Sequence, residues 1–122
     1  MGNRRLTATA LATAALAGCG PTPPQAPGPE AHQLNLSLST ISGACGHAAE
    51  IQTFENGARD MKITEHQAQS ALPALARIYK RNPDWVFQGK HVSQLVQMSS
   101  SYLDECGLHV AARRLRQMTS AK

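Results

Sequence analysis

Residues 92–107 read VSQLVQMSSSYLDECG. Within this stretch Val92, Leu95, Ser99, Tyr102, Leu103 and Cys106 recur at three- and four-residue spacing, the repeat that gathers side chains onto one stripe of an α-helix. Gly107 stands just past the stripe, where a helix commonly ends in the left-handed conformation that glycine adopts without steric penalty. The period resumes directly: Leu108, Ala111, Ala112, Leu115 and Met118 make the apolar face of a last helix. Its polar side carries Arg113, Arg114 and Arg116, and basic groups near a helix C-terminus complement the dipole.

Earlier segments of the chain carry the same helical period. Ala68, Leu72, Leu75, Ala76 and Tyr79 form one stripe, opened by Thr64-Glu65-His66-Gln67 in the form of a capping box. Pro73 should kink or restart that helix, because proline removes a donor and clashes with the preceding turn. Asn82-Pro83-Asp84 ends it, and Trp85-Val86-Phe87 follows as a connecting segment that covers the core. From Gly43 onward Ala44, Ala48, Ile51, Phe54 and Ala58 share one side of a first helix that ends near Asn56-Gly57 or Arg59. Earlier, LNLSLSTI at 34–41 alternates apolar and polar residues. That is the period of a strand, expected here to lie extended on the helices. Residues 21–29 hold five prolines, which favour an extended polyproline stretch over helix or sheet.

The N-terminus has the layout of a secretory signal. Arg4 and Arg5 form a positive start, and residues 6–16 are apolar or small. Eleven helical residues span roughly 16 Å, too short for a hydrocarbon core of about 30 Å. At its end, Leu16-Ala17-Gly18-Cys19 resembles the lipobox of bacterial lipoproteins. The resemblance implies cleavage before Cys19, a diacylglyceryl group on its thiol, and tethering to a membrane of the cell envelope. Gly20 after the cysteine implies passage to the outer membrane in an organism that has one. Met1-Gly2 is the start of a myristoylation signal, but Leu6 stands where serine or threonine is wanted.

Lipidation of Cys19 changes the cysteine count. Of three cysteines, it leaves Cys45 and Cys106 as a pair in an oxidising compartment, where a disulfide is expected. The fold class expected is therefore all-α: a small bundle of about four helices closed by one disulfide, over residues 34–122. It follows a signal peptide (1–18) and a lipidated, proline-rich linker (19–33) that holds it roughly 30–40 Å from the bilayer. Cleavage also removes two arginines and no acid, so 12 basic residues against 8 acidic ones become 10 against 8. A net charge of +2 gives no reason to expect a nucleic-acid partner.

The sharpest cluster of chemically active residues is Cys45-Gly46-His47 with Cys106-Gly107-Leu108-His109. Two thiolates and two imidazoles can hold zinc tetrahedrally, although neither spacing is a standard zinc pair and the bridge competes for the sulfurs. His32, His66 and His91 are scattered singly. Glu50 and Glu55 lie five apart and Asp104-Glu105 are adjacent, so neither pair converges on one helix face. Ser99-Ser100-Ser101 lacks a nucleophile elbow. No catalytic residue or cofactor is expected. A lipid anchor, a spacer and a small bridged helical domain look like envelope lipoproteins that act as inhibitors, immunity proteins, entry-exclusion factors or machine subunits. The expectation is a non-enzymatic domain that binds an envelope protein, with Trp85, Phe87, Arg113, Arg114 and Arg116 on its contact surface. The alternative is a metal- or small-ligand-binding module built on Cys45, His47, Cys106 and His109.

Overall fold

The structure is a computed structural model and describes residues 23–52 and 57–120. Among the described residues five helices follow in chain order: α1 (Gly28–Ile51), α2 (Gly57–Gln69), α3 (Leu72–Arg81), α4 (Val92–Glu105) and α5 (His109–Ser120). Between α3 and α4 sits a two-stranded hairpin, β1 (Val86–Phe87) and β2 (Lys90–His91), with Val86 opposite His91 and Phe87 opposite Lys90. Its turn residues Gln88 and Gly89 both have positive φ, 53° and 80°. Two positive φ values are what a tight two-residue turn between right-twisted strands requires.

The first helix ends at Ile51 rather than near Asn56-Gly57 or Arg59, so Ala58 falls in α2, and Phe54 lies outside the described residues. Two further local expectations are corrected. Residues 34–41 are not extended but lie inside α1, the longest helix. The buried face of α1 is Leu34, Ser37, Ile41, Ala44, Cys45, Ala48 and Ile51, a helical repeat, while Leu36 is 53% exposed. A serine on the inner face and a leucine on the outer one disguise that repeat as alternation. The helix also opens inside the proline-rich segment, with Pro27 as its cap and Pro29 in its first turn. Proline is tolerated there because first-turn amides have no intrahelical acceptor. Just before it, the amide of Val86 donates to the Pro24 carbonyl and that of Ala26 to the Val86 carbonyl, both at 2.9 Å. The chain is thus tied to the hairpin from residue 24, and a free spacer can lie only upstream of that point.

The other concerns Thr64. It does not open a helix, because α2 begins at Gly57. Thr64 is fully buried in mid-helix, and its hydroxyl donates to the Asp60 carbonyl at 2.8 Å. Bonding back to the fourth preceding carbonyl satisfies the hydroxyl without a cap. Pro73 does restart the chain, standing in the first turn of α3 after α2 has ended.

Gly107 closes α4 as its sequence position suggests, with φ 93°. The Gly107 amide donates to Asp104 at 3.0 Å and the Leu108 amide to Leu103 at 2.8 Å. These two bonds satisfy carbonyls the helix end would leave open, and the fully buried Leu103 and Leu108 accompany them. α5 then returns along α4. Leu34, Leu72, Leu75, Leu103, Leu108 and Leu115 are all fully buried in one core. Each such side chain contributes roughly 1.5–3 kcal/mol relative to exposure.

Cys45 and Cys106 form a disulfide, Cα to Cα 5.4 Å and 61 residues apart in sequence. Cys45 lies well along α1 rather than at its start, and Cys106 caps α4. The bridge therefore joins the C-terminal parts of two helices whose N-terminal ends both meet the hairpin. α1 and α4 consequently run parallel.

Candidate functional site

Cys19 lies outside the described residues. Trp85 and Phe87 are half-buried and pack against the core. The Trp85 carbonyl accepts from Val92 at 2.8 Å, helping to start α4, and the Arg81 guanidinium stands 5.6 Å from the Trp85 ring centroid. Arg113 and Arg114 are exposed on α5. Arg116 instead donates to the Asp104 carboxylate at 2.6 Å, and His109 Nδ1 lies 2.9 Å from the other oxygen. These contacts, that of His109 foremost, hold the Asp104 carboxyl below the usual carboxylate range. The aromatic segment and the α5 arginines therefore sit on different elements. No hydrogen bond or ion pair joins them among the described residues.

The candidate metal ligands are engaged elsewhere. With Cys45 and Cys106 bridged, neither offers a thiolate. His47 is 3.7 Å from Glu50, and His109 turns to Asp104. Among the described residues no group of three or more metal-ligating side chains is gathered in one place.

Sequence reasoning missed a groove. Between the parallel α1 and α4 lies an open cleft of about 710 Å³. Its floor is Leu38 and Ile41 from α1 with Leu95 and Ser99 from α4. Met98 and Tyr102, 51% and 44% exposed, stand along its α4 side one helical turn apart. Lys90 marks its hairpin end and Glu105 its disulfide end. Neither of these side chains makes an ion pair among the described residues. The signal was present as Met98, Tyr102 and Glu105 at i, i+4 and i+7, but counting Tyr102 into the buried stripe concealed it.

A different contact joins α2 to the start of α5. The Glu65 carboxylate of α2 accepts from the amides of Val110 at 3.2 Å and Ala111 at 2.9 Å. These are two first-turn amides of α5, and a carboxylate there satisfies both and favours the positive helix end.

The chain matches no protein-family model, no curated protein and no solved structure.

Proposed function

We propose that this chain is an envelope lipoprotein, lipid-anchored at Cys19, whose disulfide-closed helical domain binds protein without catalysing a reaction. The observation that carries the binding part is the α1–α4 groove. A mostly apolar floor, two exposed large side chains and one charge at each end make a surface suited to a protein partner. The lipobox Leu16-Ala17-Gly18-Cys19 supports the anchor. The attachment of residues 24–26 to the hairpin supports a short tether, keeping the domain close to the membrane surface. The groove is proposed as the contact surface in preference to Trp85 and Phe87, whose half-buried rings pack against the core.

Two arms of one cell experiment test this. Cys19→Ser should move the chain from the membrane to the soluble fraction. A photo-crosslinking amino acid in place of Tyr102 should capture protein, while the same probe at the exposed Val110 should not. A Cys19→Ser chain still held in the membrane contradicts the anchor, and equal capture at both positions contradicts the groove.

A further inference from the structure

We infer that the occupant of the α1–α4 groove is the same groove of a second copy of this chain, docked antiparallel about a two-fold axis near Met98. This rests on the groove being a protein-docking surface and does not depend on the lipid anchor.

The charges favour this arrangement. A two-fold interface must be self-complementary, since each residue meets the image of another. Lys90 and Glu105 lie at opposite ends of the groove. Their sequence midpoint falls between Gln97 and Met98, in the middle of α4. Turning a second copy about an axis there places each Lys90 against Glu105 of the other copy, twice over. A parallel arrangement would instead set Lys90 against Lys90 and Glu105 against Glu105, and like charges in juxtaposition are costly.

The apolar side chains fit the same axis. Met98 comes next to Met98 of the second copy, and Tyr102 faces the first turn of the other α4, beside Leu95 in the floor of that groove. Half-exposed side chains beside an open cleft thus become the filling of the opposite cleft. α1 and α4 also run parallel, so their dipoles point the same way along the groove. A second copy arriving antiparallel opposes both. The contact is one strip along the 14 residues of α4, about four turns of helix, narrower than the broad patch of roughly 800 Å² per partner in a standard stable interface. The dimer is accordingly weak and concentration-dependent, and confinement at a surface raises the effective concentration that drives it.

The test uses the full chain purified in nonionic detergent, with a photo-crosslinking amino acid replacing Met98 and the same probe at Val110 as control. Expected are a dimer-sized product from position 98 at least about tenfold above that from Val110, and a dimer by sedimentation equilibrium of the unlabelled chain at high concentration. Lys90→Glu or Glu105→Lys alone turns two attractions into two repulsions and should weaken association roughly tenfold. The double Lys90→Glu/Glu105→Lys chain should recover it. An equimolar mixture of the two single variants should form the mixed dimer in preference to either self-dimer. A chain that stays monomeric, as when another protein is the groove's occupant, overturns the inference. Association indifferent to the charge exchange overturns it equally. If the cell experiment above still captures a different protein at Tyr102, the docking reading stands and only self-pairing falls.

Discussion

The Glu65 contact yields the most exacting stability prediction. α5 begins at His109 after Leu108, and a fully buried leucine has no side-chain acceptor for the first-turn amides. Glu65 supplies that acceptor from α2, with one oxygen on Val110 and the other on Ala111. Glu65→Ala leaves both amides without it. Loss of a capping acceptor costs about 1 kcal/mol, and loss of the negative charge near the helix terminus adds about 0.3–1 kcal/mol. Glu65→Ala should therefore destabilise by roughly 1.3–2 kcal/mol. Glu65→Gln keeps one acceptor oxygen but turns an amide donor towards the second N–H, so it should cost about 1 kcal/mol. At about 4–8 °C per kcal/mol for a 60–100-residue domain, the alanine variant should melt roughly 5–16 °C lower. Urea denaturation with the disulfide intact provides the measurement, with an unchanged slope confirming that only stability has moved. Both variants falling within about 0.3 kcal/mol of the parent would refute the capping argument, as would glutamine costing more than alanine.

Three further outcomes follow from other contacts. Replacing both bridged cysteines, Cys45→Ala with Cys106→Ala, should cost about 4 kcal/mol on the chain-entropy estimate for a 61-residue separation, read from urea midpoints; a loss under about 1 kcal/mol would contradict it. Gly107→Ala should destabilise by about 1–2 kcal/mol, because φ is 93° and the new Cβ would meet Gln52 Nε2 at 2.6 Å. Gly46→Ala, on the exposed face of α1 with open space around it, should instead stabilise by about 0.5–1 kcal/mol; thermal melts that put both changes on the same side would sink the distinction. Asp104 has a folded-state pKa below its unfolded value, so its contribution is present above the ordinary carboxylate range, near pH 4. It is lost as pH falls through the lowered value. The stability gap between the parent and Asp104→Asn should be full at pH 6 and shrink in acid, whereas a gap constant down to pH 2 would contradict the pairing.

Much of the architecture is legible in the sequence because several signals coincide. Over α4 the apolar period and Gly107 agree, and over α3 Pro73 and Pro83 bracket the helix. Over α5 the period alone suffices, since Leu108, Ala111, Ala112 and Leu115 are all fully buried. The first half of α1 fails because Ser37 is buried and Leu36 is exposed. Tertiary packing decided those positions against the local pattern. Thr64 misleads for a related reason: one hydroxyl can cap a helix or bond back within it, and only burial separates the two. The hairpin has two residues per strand, too few for an alternating period. The α4 side of the groove was legible as Met98, Tyr102 and Glu105 on one stripe, but its α1 side comes from residues roughly 60 positions away, and no local period links the two. Glu65 is similar, an unremarkable helical acid whose partners lie 45 and 46 residues away.

On the proposed reading the three cysteines have two different fates, Cys19 lipidated and Cys45 bridged to Cys106. Intact mass spectrometry of the chain purified from its cells, with alkylation before and after reduction, reads both at once. The account predicts an N-terminus at Cys19 carrying the mass of a diacylglyceryl group, no alkylation before reduction, and alkylation of Cys45 and Cys106 afterwards. A chain that retains residues 1–18 with an alkylatable Cys19, or that alkylates at Cys45 and Cys106 without reductant, would contradict it.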